Sequence, residues 1–313
     1  MLAVVSGDGD LRIEERPDPV PGDTELLVAV RAAGLNGADQ MQRHGRYPAP
    51  PGVPADILGL ELAGEVAGVG RQVTRFTPGD PVMAVVGGGG QATMAAVDEA
   101  HALAVPPGVG WAQAGGFPET FSTAHDALFT QCRLAVGERV LVTGAAGGVG
   151  TAGVQLAAAA GAAVVASARD RSHHDALLAL GAAEVIGPDE VADHGPYDVV
   201  LELVGAPSLP GALSALATGG RASVIGVGGG ARIDLDLLGL MTRRASVRGS
   251  TLRARSRTEK ALVAGAVAAH VLPLLGAGRI AVPMWATFPL EEAGVAYDRF
   301  AQGGKLGKIV LVT

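Results

Sequence analysis

The sequence predicts an α/β protein: a doubly wound parallel sheet of Rossmann type, joined to a second, β-rich domain. Three observations carry this expectation. In Val140-Leu141-Val142-Thr143-Gly144-Ala145-Ala146-Gly147-Gly148-Val149-Gly150 an apolar, β-branched run enters a glycine cluster, and an alanine-rich segment with helical character leaves it. Strand, tight turn and helix start in that order form the place where an α/β sheet holds a pyrophosphate. Next, short apolar runs return at 163–167, 198–205 and 221–228, the last two ending in glycine, with helical segments between them such as 172–180 and 208–217. Runs buried on both faces belong to a parallel sheet covered by helices on each side. Third, the chain before residue 118 has a different texture, with short strands broken by Pro and Gly.

The elements follow in order. Strands are expected at 11–15, 25–32, 64–69 and 81–86. Pro17, Pro19, Pro21 and Gly22 break one pair, and Pro78-Gly79-Asp80 and Pro106-Pro107-Gly108 mark other turns. The run Gly87 to Gly90 reads as a flexible turn. The stretch 118–260 forms the nucleotide-binding unit. A glycine-rich turn is weak evidence alone in a chain with 47 glycines, and Ala145 stands where the strict G-x-G-x-x-G pattern has its first glycine. The strands that follow at βαβ spacing set aside the alternative, a turn that merely closes a helix onto a strand. The tail, 261–313, holds an apolar helix at 261–275 and ends in a strand at 308–312. There is no internal repeat.

Bulk properties exclude several roles. The 313 residues suffice for two domains, and 48% hydrophobic with 18% charged residues supplies two cores. A formal net charge of −7 argues against nucleic acid or an anionic membrane as partner. One cysteine, Cys132, excludes an intramolecular disulfide and a cysteine-rich zinc site. Residues 140–168 carry no charge and are long enough to cross a membrane, but their glycines, Thr143, Thr151, Gln155 and strand–helix–strand rhythm argue against a span. The N-terminus lacks a basic flank and has the early acids Asp8 and Asp10, so no signal peptide is expected and the cytoplasm is. High Ala, Gly and Arg usage fits a GC-rich bacterial genome.

Several ordered motifs then resemble a known family: Gly34-Leu35-Asn36-Gly37-Ala38-Asp39, Ile57-Leu58-Gly59-Leu60-Glu61-Leu62-Ala63-Gly64, Pro78-Gly79-Asp80, the Gly144–Gly150 loop and Gly307-Lys308-Ile309-Val310-Leu311. Together they resemble the medium-chain dehydrogenase/reductase superfamily over essentially the whole chain. The likeness is strongest to its zinc-free quinone oxidoreductases of zeta-crystallin type. Residues 41–47 and 251–256 are most similar to the branch that includes a tumour-suppressor-inducible quinone oxidoreductase. The resemblance implies a GroES-like catalytic domain from 1–117 and 261–313, a Rossmann domain from 118–260, and an active site in the cleft between them.

Zinc-dependent alcohol dehydrogenases of that superfamily hold catalytic zinc by Cys, His and Cys, and those places here are Asn36, Leu60 and Glu119. Leucine cannot ligate, and without thiolate or imidazole the set does not suit zinc. No metal ligand is therefore expected, and alcohol oxidation, which needs such a Lewis acid, is set aside. Hydride delivery from a nicotinamide to a quinone or an activated double bond remains. The resemblance places Asn36 and Tyr47 beside the nicotinamide. Tyr47 would donate to the acceptor oxygen or stack on a flat ring; otherwise it packs a loop. Asn36 belongs to the site or satisfies loop backbone groups. Glu61 is expected to bond loops. Gly147, Gly148 and Val149 should line the pyrophosphate, and Gly205, Gly226, Val227 and Gly228 follow strand ends facing the ligand crevice. Thr123 matches a family hydroxyl near the nicotinamide, or else caps a helix. Leu252 and Arg253 match family loop positions on the nicotinamide side, with a solvated surface role for Arg253 as the alternative. His173-His174 reads as an exposed helix start.

The choice between nicotinamides rests on the second strand's end. NAD enzymes place a carboxylate there for the ribose hydroxyls. Here Ala166-Ser167-Ala168 is followed by Arg169, Asp170 and Arg171. Two guanidinium groups and the Ser167 hydroxyl suit the 2′-phosphate of NADPH. Asp170 pulls towards NAD, and solvated arginines are the plain alternative. The resulting expectation is an NADPH-dependent quinone reductase, acting as a homodimer through an edge strand at 245–250. An enoyl reductase for enones or alkenals is the nearest rival, and a nucleotide-binding subunit without turnover a distant one.

Overall fold

Buried and half-buried side chains alternate along Glu25–Gly34, the strand around which the first half of the chain is organised. The computed structural model describes residues 1–7 and 9–313. It divides into two units, Met1–Ser122 with Leu252–Thr313, and Thr123–Thr251. In the first unit β1 (Leu2–Gly7) and β2 (Asp10–Glu15) form a hairpin. The main sheet joins β3 (Glu25–Gly34), β4 (Glu61–Val69), β5 (Pro81–Val85), β6 (Met94–Asp98) and β7 (Ala102–Ala104) to two strands of the tail, β14 (Met284–Pro289) and β15 (Lys308–Val312). Its order is β14-β15-β3-β4-β5-β7, with β6 also on β3. Leu26, Val28, Val30, Leu62, Val66 and Val82 build one core, and Val4, Leu35, Leu58, Tyr297 and Ile309 another. At Gly64 two strands cross so closely that a Cβ would lie 2.1 Å from the Ala29 carbonyl oxygen.

Helices α1 (Gly37–Arg43), α2 (Trp111–Gly116), α8 (Arg257–His270), α9 (Leu272–Gly276) and α10 (Ala293–Ala301) belong to the same unit. The stretch Arg257–Gly276 is long and apolar enough to cross a membrane by length and composition. In the fold it breaks before Pro273, and Ala264, Val267, Val271 and Leu275 form a buried stripe. That is the pattern of an amphipathic helix on a core.

The second unit is a six-stranded parallel sheet of β8 (Arg139–Val142), β9 (Ala163–Ser167), β10 (Glu184–Ile186), β11 (Tyr197–Glu202), β12 (Leu216–Val224) and β13 (Ser246–Gly249). Its order is β10-β9-β8-β11-β12-β13, so the winding reverses between β8 and β11. Val140, Leu141, Val142, Val199, Val200 and Leu201 are wholly buried, as expected of central parallel strands. The helices are α4 (Gly148–Ala159), α5 (His174–Ala179), α6 (Leu209–Ser214) and α7 (Leu237–Arg243). Helix α3 (Pro118–His125) contains the boundary between the units and continues into a π-helical turn, Asp126–Gln131.

Some expectations shift. The boundaries fall at 122/123 and 251/252 rather than 117/118 and 260/261, because Arg253 is bonded within the first unit. The helix expected at 208–217 stops at Ser214, since Leu216 opens β12. The Gly87–Gly90 run is a largely buried, hydrogen-bonded turn rather than a flexible one. His173 and His174 are half-buried, not exposed. Asp8 lies outside the described residues.

One buried network ties the first unit together. Lys308 Nζ, at the start of β15, donates to Leu35 O at 2.8 Å, Asn36 Oδ1 at 2.7 Å and Glu61 Oε1 at 2.5 Å. All three ammonium protons thus have acceptors. Glu61 Oε1 also accepts from Asn36 Nδ2 at 2.9 Å, and Oε2 accepts from Glu119 N at 2.8 Å. Asp39 accepts backbone N–H bonds from Asn36 and Gly59. Lys308 and Glu61 are 3% and 0% exposed, so neither charge can fall back on water. Lys308→Met should therefore lower unfolding free energy by about 3–5 kcal/mol, the cost of stranding a buried charge. Adding Glu61→Leu should recover part of that loss. Denaturant unfolding of the three chains checks this, and an unchanged midpoint for the single variant would refute it.

Candidate active site

In the second unit the candidate cofactor residues gather at the C-terminal ends of the parallel strands. Gly144 takes a left-handed φ of +58° after β8, and Gly147 forms the N-cap of α4 with no side chain to cap it. The first-turn N–H groups of Gly148 and Val149 therefore lack a side-chain acceptor, which suits a pyrophosphate. Gly150 packs against the loop so tightly that a Cβ would lie 2.5 Å from Gly144 O. Ala145, the departure from the glycine pattern, is buried and donates its N–H to Ser167 O at 3.0 Å. The left-handed turn falls on Gly144, so alanine is tolerated there.

Ser167 ends β9 and is buried, whereas Arg169 and Arg171 are exposed and hold no ion pair among the described residues. Asp170 between them accepts the Ser172 N–H at 2.9 Å and closes a short 3-10 turn. Gly205 (φ +100°) and Gly226 follow β11 and β12, where a Cβ would lie 2.3 Å from Gly230 O and 2.4 Å from Leu203 O respectively. Val227 is exposed, and Gly228 has open space around it. These residues form a cradle that fits a dinucleotide. Thr123 is buried inside α3, where no capping position exists, so the capping alternative is removed.

Glu202 was not singled out from sequence. It ends β11 fully buried, and Oε1 accepts from Thr143 Oγ1, Val204 N, Gly205 N and Ser208 Oγ at 2.7–3.0 Å. A carboxylate inside the apolar strand Tyr197–Glu202 was the available signal. It fixes the turn that presents Gly205.

In the first unit Asn36 is 9% exposed, with both ends of its amide in the Lys308–Glu61 network. It serves buried side chains rather than loop backbone. Glu61 bonds loops and strands, as anticipated. Tyr47 is half-buried, its hydroxyl has no hydrogen bond among the described residues, and burial followed by the nearby Glu119 raises its pKa. It remains a neutral donor at physiological pH. Arg253 Cζ lies 5.1 Å over the Tyr47 ring. Its guanidinium donates to Gly87 O at 2.7 Å, Tyr47 O at 2.9 Å and Gln42 Oε1 at 2.6 Å. Leu252 is buried beside Val85, Leu103, Val263 and Ala264. Leu252 and Arg253, expected at the cofactor, are thus committed within the first unit, and Arg253 holds Tyr47 in place.

Burial raises the Glu119 carboxyl to about 8 and that of Asp39 to about 7. Glu61 adds to both shifts, and Lys308 opposes them. Leu60, at the second zinc-ligand place, is 2% exposed and has no donor atom in its side chain.

Comparison with known proteins agrees with this geometry. Residues 22–130 match the alcohol dehydrogenase GroES-like domain, and residues 148–266 match the zinc-binding dehydrogenase family. The quinone oxidoreductase of Mus musculus is 31% identical over 310 residues, spanning 94% of this chain and 91% of the relative. That of Homo sapiens is 29% identical over 312 residues, at 94% and 91%. Among solved structures, an alcohol dehydrogenase superfamily protein from Novosphingobium aromaticivorans is 31% identical with a TM-score of 0.90, covering 100% of this chain and 99% of its own. A mycobacterial protein whose structure is complexed with NADPH has a TM-score of 0.89 at 26% identity, covering 100% of both chains. The chain belongs to the medium-chain dehydrogenase/reductase superfamily, among the quinone oxidoreductases, and is a nicotinamide-dependent oxidoreductase with a GroES-like and a Rossmann-type domain.

Proposed function

We propose that the protein is an NADPH-dependent, zinc-independent reductase whose acceptor is a quinone. The observation that carries this reading is the donor set Asn36, Leu60 and Glu119 at the three places where zinc enzymes bind their metal. Asn36 is spent on Lys308 and Glu61, and Leu60 has nothing to offer a cation. Without a Lewis acid, the acceptor must be one that takes hydride with little polarisation. The quinone oxidoreductase relatives support the same choice. NADPH supplies the hydride when bound. Gly147 lines its pyrophosphate and the N–H groups of Gly148 and Val149 hold it, while Ser167, Arg169 and Arg171 face its 2′-phosphate. Tyr47 donates to the acceptor oxygen or stacks on its ring, and Arg253 keeps the phenol in position. The buried thiol of Cys132, pushed up to about 11 by burial, fits a reducing cytoplasm.

The partner is a second copy of the chain. Strand β13 is a sheet edge, and Leu237, Leu238 and Met241 of the adjoining α7 are 64%, 68% and 71% exposed. An apolar row beside an open edge is suited to pairing across a twofold axis. Arg248, a charge on that edge, donates back to Gln131 O at 3.0 Å.

Three outcomes are expected. Purified protein should oxidise NADPH with a simple quinone, and chelator treatment should leave the rate unchanged. Tyr47→Ala should raise KM for the quinone and Tyr47→Phe should lower kcat. A substrate panel separates this from enone reduction, and absence of quinone turnover would overturn it. NADPH should exceed NADH in kcat/KM by tenfold or more, about 1.4 kcal/mol of transition-state binding. Replacing Arg169 and Arg171 together by alanine should remove most of that preference, and equal use of both cofactors by the parent would contradict it. Light scattering at micromolar concentration should give twice the chain mass, and Met241→Glu should halve it. A monomeric parent would sink the dimer.

A further inference from the structure

We propose that the carboxylic acid of Glu119 is the proton donor that completes reduction of the acceptor beside Tyr47. This rests on the reductase reading above and goes beyond it by assigning the proton. Three carboxyl groups, Asp39, Glu61 and Glu119, act on one another and share the charge of the Lys308 ammonium, and the hydrogen bonds divide unequally among them. Glu61 takes the ion pair and an N–H of Asn36. Asp39 takes two backbone N–H groups, one on each oxygen. The other two protons of Lys308 go to Leu35 O and Asn36 Oδ1. Glu119 receives none of these bonds. Its backbone N–H is pinned by Glu61 Oε2 at 2.8 Å, and its side chain has no hydrogen-bond partner among the described residues.

The groups that act on Glu119 come from every neighbouring element: Glu61 on β4, Lys308 on β15, Asp39 on α1, Arg253, Tyr47 and, from α8, Lys260. Arg253 spends its donors on two carbonyl oxygens and the Gln42 amide, so it gives Glu119 no bond either. A carboxyl with two carboxyl neighbours and no donor of its own holds its proton to higher pH than Asp39, which has two backbone donors. The value of about 8 agrees. Glu119 also keeps some solvent access, whereas Asp39 and Glu61 have none, and its charge acts on the Tyr47 phenol, whose hydroxyl has no hydrogen-bond partner among the described residues.

The step balances simply. Hydride from NADPH reduces the quinone to the hydroquinone monoanion and leaves NADP⁺. The Glu119 O–H bond breaks as an O–H bond forms on the acceptor oxyanion. The resulting carboxylate regains its proton from water before the next turnover.

The test is the pH profile of kcat for quinone reduction in parent, Glu119→Gln and Glu119→Asp chains. The acid form is required, so the parent should be fastest below about pH 8 and slow as pH rises through it. Glu119→Gln should lose about a hundredfold in kcat and the pH-dependent limb with it, while Glu119→Asp keeps a limb at a shifted pH. NADPH binding, read by fluorescence titration, should change little in either. Infrared difference spectra give a second reading: beside the protonated-carboxyl stretch of Asp39, lost near pH 7, the parent should show one lost near pH 8 that is missing in Glu119→Gln. Parent-like rates and an unaltered limb in Glu119→Gln, or no such stretch in the parent, would overturn the assignment to Glu119 alone. Absence of acceptor reduction by the parent would instead remove the reductase reading beneath it.

Discussion

The buried contact between Lys308 and Glu61 is the constraint on which the first unit depends. Both charges are out of water, and the energy of removing them is recovered only through the bonds they share. The pair fixes β15 against β4, the Asn36 amide at the start of α1, and the backbone of Glu119. Gly34 is required beside it, since a Cβ there would lie 2.1 Å from Glu61 Oε1. Of the places where zinc enzymes bind metal, Asn36 is thus held by an internal cation and the Glu119 backbone by that cation's carboxylate partner. The lysine organises the loops and leaves the carboxyl chemistry of Glu119 open.

Glu202 plays a comparable part in the second unit by other means. A single oxygen gathers two hydroxyl and two backbone donors, and Thr143 Oγ1 accepts the Leu203 N–H in return at 2.9 Å. The turn after β11 is thereby closed on the turn after β8, at the place where the sheet reverses its winding. A neutral amide could not accept four such bonds on one atom with equal strength. Each unit is thus ordered by buried ionisable side chains bonded across its own elements, Lys308 with Glu61 in the first and Glu202 in the second.

Much of the fold was legible because local pattern decided it. Strands β9 and β15 have the bounds expected from their apolar runs, and the uncharged stretch from 140 to 168 is a strand, a helix and a strand. The glycine turn could be read because its chemistry is local too. The strands β1, β6, β7, β10 and β14 went unseen: β7 and β10 are three residues long, and the alternation of β6 in burial is carried by alanines that do not mark it in the sequence. The site was less legible where partners lie far apart in sequence. Arg253 looked like a cofactor residue from its loop, yet Gln42, 211 positions away, receives its proton. Nothing local to Asn36 announced Lys308, 272 positions downstream.

That separation has a consequence during synthesis. Glu61 and its cation are 247 residues apart, with the whole second unit encoded between them. At ~5–20 residues per second, a ribosome needs about 12–50 s to pass from one to the other. Throughout that interval the nascent GroES-like segment has a carboxylate destined for its core and no lysine to meet it. The second unit is contiguous and free to fold on emergence, whereas the first must wait for the final strand. The amino-terminal half of the protein is thus the last part to be finished.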